Sequence, residues 1–161
     1  MAKLRTSLLT DDLYRRLGGS EIASRANQAI ILCTVDSDGW PRCSMLSYFE
    51  IAAPDRHNLR LAVYKNSRTC ANMREQGKAT LAMADAGLVC YVSGMVEELV
   101  PAMREAPHNA KLNLRIAQVV FDEPSPDLEP GIDITGGITF SSRTAGALAR
   151  AHTVLAELLE A

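Results

Sequence analysis

Apolar and polar positions change period several times along this chain. Over residues 8–27 the apolar side chains recur at helical spacing, broken at Gly18 and Gly19, with Ser20 placed to cap a second short helix carrying Glu21 and Arg25. Two short helices are therefore expected within 1–28. The run AIILCTV at 29–35 ends in Asp36-Ser37-Asp38-Gly39, and RCSMLSYFEI at 42–51 resumes a sheet-forming composition, so the pair predicts a β-hairpin. After a polar connector, LRLAVY at 59–64 alternates as a third strand. SRTCANMREQ at 67–76 reads as a helix capped by Ser67 and stopped by Gly77, with further strands over 79–84 and 88–100. Five strands and one inserted helix thus make up a barrel core over 29–100.

The remainder, 101–161, predicts a helix, a strand and a closing helix. Residues 101–121 place Leu112, Ile116, Val119 and Val120 on one helical side, with Pro107 dividing the element. DEPSPDLEP at 122–130 is an exposed loop, 132–140 a strand, and 142–159 a helix. Short strands joined by hairpins, with helices at the ends and in two crossovers, predict one mainly β domain over 1–161. Its class is a small antiparallel barrel with peripheral helices rather than a doubly wound parallel sheet.

Composition narrows the partners. Seventeen Lys and Arg stand against nineteen Asp and Glu in 161 residues, a net charge of -2, which gives no electrostatic ground for nucleic acid or an anionic membrane. No apolar run approaches the ~18 residues of a membrane span, and charges interrupt the N-terminal stretch before a secretory core could form. A cytoplasmic protein is expected. Cys33, Cys43, Cys70 and Cys90 are widely spaced without a C-x-x-C pair and read as small buried thiols; Cys70 alone has basic neighbours, Lys65 and Arg68. His57, His108 and His152 stand apart from one another and from any carboxylate pair, and no local metal motif occurs. Neither a dinucleotide fingerprint nor a P-loop is present.

One stretch concentrates chemistry. LRLAVYKNSRTCANMR at 59–74 sets a strand directly before a helix start that holds Lys65, Ser67, Arg68 and Thr69. A helix N-terminus offers unpaired N–H groups and the positive end of the dipole, and Arg68 adds a planar fork suited to phosphate oxygens. The alternative is a normally capped helix with solvated basic residues. Trp40, in the turn Gly39-Trp40-Pro41, either anchors the hairpin or a dimer contact or covers a ligand edge.

The order of these pieces resembles the pyridoxamine 5'-phosphate oxidase-like superfamily, the split barrels that bind flavin mononucleotide (FMN). The matching segments are AIILCTVDSDGWPRCSMLSYFEI, LRLAVYKNSRTCANMREQGKATLAMA and LVCYVSGMVEEL, which together cover 29–100. The resemblance implies a split antiparallel β-barrel and a homodimer with FMN at the subunit interface. It further implies that the phosphate lies near Ser67, Arg68 and Thr69, with Arg42 on the phosphate side. Ser44, Met45, Leu46 and Ser47 then lie on the strand passing the flavin ring, and Tyr64, Lys65 and Asn66 on the approach to the phosphate. Met45, Leu46 and Val92 are the expected candidates for burial between subunits.

Departures from the oxidase shape the expected activity. Thr69 and Ser47 stand where the oxidase commonly has lysines, and its C-terminal Arg-x-His pattern is absent from the closing AHTVLAELLEA. Pyridoxamine phosphate oxidation is therefore not expected. The resemblance implies instead a flavin-dependent oxidoreductase acting on another small molecule, with no catalytic side chain assigned because the cofactor carries the reactive atom. The rivals are a flavin-binding module without catalysis and a split barrel using deazaflavin or haem. A second Ser-Arg-Thr at 142–144, after a predicted strand and at a predicted helix start, echoes the first and either caps a helix independently or borders an anion site.

Overall fold

The computed structural model describes residues 5–161 and places the alternating segments in a curled antiparallel sheet with short helices around it. In chain order the elements are β1 (Arg5–Thr6), α1 (Asp11–Leu17), α2 (Ile22–Arg25), β2 (Gln28–Val35) and β3 (Pro41–Ser47). After a single 3-10 turn at Tyr48–Glu50 come β4 (Ile51–Ala52), β5 (Asn58–Tyr64), α3 (Arg68–Gln76), β6 (Lys78–Asp85) and β7 (Leu88–Val100). The chain closes with β8 (Asn109–Phe121), β9 (Ile138–Thr139) and α4 (Ala147–Leu159). Sheet order is β3-β2-β6-β7-β8-β5-β4, with β1 beside β8 and β9 beside β2. The sheet curls into the half-barrel of a split-barrel fold.

Period-two alternation decides what lies inside. Along β2, Ile30, Leu32 and Thr34 are buried while Ile31, Cys33 and Val35 face outward. Leu81 and Met83 of β6, Cys90 and Val92 of β7, and Leu112 and Leu114 of β8 join the same core. Leu13 and Leu17 of α1 and Val154, Leu155 and Leu158 of α4 are buried with them. Each such side chain contributes about 1.5–3 kcal/mol by leaving water. Helix α3 packs against β2, β3, β5 and β7, so the cap-rich turn before it is held by the barrel rather than by its own short helix.

The hairpin, the strand at 59–64, the helix ended by Gly77 and the strand at 88–100 form as the pattern predicts. Gly77 takes φ 62°, the left-handed conformation that ends a helix without steric cost, and its N–H bonds to Met73 O at 2.9 Å. The predicted 42–51 strand is divided: β3 stops at Ser47, the 3-10 turn intervenes, and β4 is a two-residue strand. Ser20 lies in a turn and caps nothing; Glu21 precedes α2 without a side-chain cap bond.

The largest correction concerns residues 101–121, expected as a helix and found to be the 13-residue strand β8 after an irregular turn. Ala110, Leu112, Leu114 and Ile116 are buried two residues apart, a strand period, but Val119 breaks the alternation. That break has a structural cause. Ser93 pairs with Gln118 and Gly94 with Ile116, so Ala117 is the extra residue of a β-bulge. A Cβ on Gly94 would lie 2.3 Å from Arg115 O, and glycine alone permits this approach. The last third is also less regular than expected: within 132–140 only Ile138–Thr139 form a strand, and α4 begins at Ala147 rather than at 142. Met1 to Leu4, part of the stretch weighed as a leader, lie outside the described residues.

Candidate functional site

The candidate site grows from two neighbouring pieces, the turn between β5 and α3 and the sheet-edge strand β3. Ser67 sits at the N-cap of α3 in extended conformation, and its Oγ accepts from Cys70 N–H at 3.1 Å. Ser67 N–H donates to Tyr64 O at 2.9 Å, which closes the turn. Among the described residues the N–H groups of Arg68 and Thr69 find no acceptor, as expected for a first helical turn. The Arg68 side chain is exposed with no ion-pair partner among the described residues, and the same holds for the half-buried Lys65. Asn66 and Tyr64 are exposed, the Tyr64 ring 6.3 Å from that of His108. Lys65 is fixed through its backbone: its N–H donates to His108 O, and its carbonyl accepts from Arg74.

Thr69 ties the turn to β3. Its side chain is buried and donates to Ser44 Oγ at 3.2 Å, so these two residues, far apart in sequence, meet beneath the helix start. Arg42 is engaged elsewhere, since its guanidinium donates to both oxygens of Asp36 at 3.1 and 3.2 Å. Asp36 also accepts from Asn72 Nδ2 at 2.8 Å, and Asn72 donates to Thr34 Oγ1 at 3.1 Å. Hydrogen bonds from Arg42 and then Asn72, with the charges of Arg42 and Arg68 nearby, hold the Asp36 carboxyl below its usual range. Sequence inspection missed the Asp36-Asn72 link. No local signal marks it, because the partners lie on β2's end and on α3.

Edge position gives β3 its chemistry. Asp36 N–H bonds to Trp40 O at 2.8 Å, and pairing runs in unbroken register from Val35↔Pro41 to Ala29↔Ser47. Antiparallel alternation then turns the backbone groups of Arg42, Ser44 and Leu46 toward β2 and those of Cys43 and Met45 toward the open edge. Pro41, which lacks an N–H, falls on an outward position where none is needed. The Met45 side chain is 63% exposed, whereas Leu46 has its side chain buried in the chain's own core and its backbone groups turned to β2. Leu46 and Val92, expected between subunits, both face inward, so burial between subunits does not apply to their side chains. Ser47 leaves the edge through its N–H, which donates to Glu50 Oε2 at 2.7 Å.

Two open grooves flank this face. One, about 340 Å³, is lined by Cys33, Val35, Pro41, Thr80 and Met95 among others. The second, about 270 Å³, is lined by Met45, Leu46, Ser47, Ile138 and Phe140 among others. The second Ser-Arg-Thr lies elsewhere. Ser142 and Thr144 border a cavity of about 430 Å³ with Phe49, Glu50 and Arg150, ahead of α4 rather than at its start. Burial pushes the Glu50 carboxyl up, against the opposing hydrogen bonds from Ser47.

The cysteines divide differently from expectation. Cys70 and Cys90 are buried, and burial raises both thiols, Cys90 to about 12. The basic neighbours of Cys70 do not reverse this. Cys43 is exposed and Cys33 half-buried, because both point to the outer face of the sheet. Trp40 is 71% exposed at the hairpin turn. Among the described residues no His, Cys, Asp and Glu side chains cluster as metal ligands, and no helix is long and apolar enough to cross a membrane.

Family comparison agrees with the fold. The family model described as pyridoxamine 5'-phosphate oxidase matches residues 21–151. The chain belongs to the pyridoxamine 5'-phosphate oxidase family. It is 31% identical over 135 residues to the uncharacterized protein YclD of Bacillus subtilis (strain 168), covering 84% of each chain. Among solved structures it is similar to a candidate pyridoxamine 5'-phosphate oxidase from Lactobacillus delbrueckii, with a TM-score of 0.56 and 22% identity over 74% of this chain and 98% of that one. An FMN-binding protein from Syntrophomonas wolfei matches with a TM-score of 0.54 and 14% identity over 71% and 88% of the two chains. These two structural likenesses establish a shared fold.

Proposed function

We propose that this family member is an FMN-dependent oxidoreductase that works as a homodimer, with the flavin phosphate at the turn before α3 and the ring along β3. The observation that carries the reading is the α3 start. Two N–H groups without acceptors, the cap Ser67 and the uncommitted cations Lys65 and Arg68 converge on one exposed turn, which Thr69 ties to β3 from beneath. A phosphate dianion fits that donor set, since every group there presents positive charge, an N–H or a hydroxyl. The missing Lys positions leave two cations, Arg68 and Lys65, for the dianion. Arg42 contributes indirectly by holding Asp36, which would otherwise set an unpaired carboxylate near Arg68.

When bound, the flavin supplies the atom that accepts or donates a hydride. The chain's own residues bind and orient. Ser44, held by Thr69, presents a hydroxyl beneath the helix start, and the edge backbone of Cys43 and Met45 presents donors and acceptors to a flat heteroaromatic ligand. Met45 supplies apolar contact from an exposed position. A second chain laid over this face would exclude water from it; the exposed Val35, Met45 and Met95 are the apolar surface it would cover.

Titration of the purified protein with FMN and with riboflavin tests the phosphate reading. FMN should bind at least tenfold more tightly, and equal affinities would sink it. The visible spectrum separates the other cofactors: a Soret band would favour haem, and a deazaflavin-type spectrum the third reading. Stopped-flow reduction of the loaded protein by a nicotinamide cofactor distinguishes enzyme from binding module. Light scattering at low micromolar concentration should give twice 17.5 kDa, and a 17.5 kDa species would refute the dimer.

A further inference from the structure

Of the residues assigned to the flavin, only Ser47 lines the cavity of about 430 Å³ ahead of α4. Val35, Met45 and Met95, the surface a second chain would cover, line none of it. Its volume falls within the ~300–1,000 Å³ of small-molecule sites. Two opposite charges border it without meeting. Glu50, half-buried, accepts from Ser47 N–H at Oε2 and has no ion-pair partner among the described residues. Arg150 is exposed on α4, and its guanidinium has neither a hydrogen-bond nor an ion-pair partner among the described residues. Burial pushes the Glu50 carboxyl up, and the Ser47 bonds and then the Arg150 charge oppose the rise. The guanidinium is thus near enough to be felt and too far to pair.

Helix α4 starts at the same wall. Ala147 N–H donates to Thr144 O and Arg150 N–H to Gly146 O, whereas the N–H groups of Leu148 and Ala149 find no acceptor among the described residues. The positive end of a 13-residue helix therefore stands with Arg150, and Ser142 and Thr144 border the cavity beside it. Phe49 and Val154 add apolar surface to the same space.

We propose that this cavity binds a small amino acid with an apolar side chain. Its carboxylate meets Arg150 and the first turn of α4, its ammonium meets Glu50, and its side chain lies against Phe49 and Val154. A ligand with one charge would leave either Glu50 or Arg150 unanswered in a partly desolvated space, so the pair selects a molecule that carries both. The bound amino acid is a neighbour of Ser47, at the end of the ring's path along β3. Its use as the flavin's substrate rests on the function proposed above, whereas its binding rests on the cavity alone.

Calorimetric titration of the flavin-free full chain with three ligands of one shape tests this: L-leucine, 4-methylpentanoate without the ammonium, and 3-methylbutylamine without the carboxylate. Leucine should bind at least about tenfold more tightly than either analogue. Arg150→Ala, at an exposed position, should weaken leucine by about tenfold or more and leave the amine unchanged. Glu50→Gln keeps an oxygen for Ser47 N–H; it should weaken leucine and leave 4-methylpentanoate unchanged. No binding of leucine, equal affinity for the three ligands, or a leucine affinity that neither substitution lowers would overturn the proposal. FMN titrated into the same protein separates the two readings: leucine binding without FMN binding would sink the flavin site alone, and the reverse would sink the amino-acid site alone. Leucine should still bind when FMN is saturating; its displacement by FMN would make the cavity part of the flavin's own site and overturn the proposal as well.

Discussion

Ser67-Arg68-Thr69 and Ser142-Arg143-Thr144 are the same three residues in the same order, yet they end in different structures. At 67–69 the serine caps a nine-residue helix, its Oγ accepting from Cys70 N–H, and the threonine reaches across to Ser44 on β3. At 142–144 the serine Oγ accepts from Thr144 N–H at 3.3 Å, a bond within an exposed loop, and the helix waits until Ala147. Gly146, at φ 74°, stands between that tripeptide and the helix. The difference teaches that the tripeptide can serve the proposed anion site only where its N–H groups belong to a helical turn and a neighbouring strand holds the threonine. Residue type supplies the groups, and the backbone aims them.

The sharpest way to break this comparison is to remove each arginine. Arg68→Ala should weaken FMN binding by roughly ten- to a hundredfold, the loss of one charge-assisted contact, while Arg143→Ala binds as wild type in the same titration. The reverse result would transfer the site to the second tripeptide. Equal affinity in both variants would leave Ser67 a helix cap and nothing more.

A smaller effect is expected from the serines. Ser67→Ala removes a side-chain cap and should cost about 1 kcal/mol, or about 2–4 °C in Tm. Ser142→Ala touches only an exposed loop bond and should stay within about 0.5 kcal/mol of wild type. Thermal scans of both variants read this directly. A larger loss in Ser142→Ala would mean that its loop is held more firmly than its exposed surroundings indicate.

The smallest effect concerns acid. Near the first tripeptide, Asp36 is held below its ordinary value, so its contribution is present above about 3.8 and disappears as pH falls through the lowered value. In the cavity by the second, Glu50 is raised above about 4.5, so the folded state gains in acid and loses that gain as pH rises through the raised value. The denaturation midpoint of Asp36→Asn should therefore approach wild type on acidification. Glu50→Gln should show the opposite trend, its deficit relative to wild type shrinking as pH rises. Parallel trends in the two variants would contradict one of the two environments.

Legibility from sequence followed the range of the interactions. Ser67, Gly77 and the turn at residues 36–39 act through bonds to atoms a few residues away, so the helix at 67–76 and the opening hairpin could be read directly. The region 101–121 could not, because one extra residue, Ala117, shifts Val119 out of phase and makes a bulged strand look helical. The candidate phosphate turn was visible as a pattern of Ser, Arg and Thr. Its supports were not: Ser44 under Thr69, and Asn72 with Asp36, are brought together only by folding.

By itself the sequence determined the opening hairpin, the strands at 59–64, 79–84 and 88–100, the capped helix, the near-neutral charge and the order of segments that marks the family. Each of these depends on side-chain type within a few positions. Tertiary structure decided which residues became neighbours and which way they face. It sent Leu46 and Val92 into the core, left Met45 on an open edge, committed Arg42 to Asp36 and set Cys33 opposite Cys43. Those outcomes depend on strand register and sheet curvature, which sum many weak contacts distant in sequence, and a shift of one residue would turn every side chain of β3 to the other face.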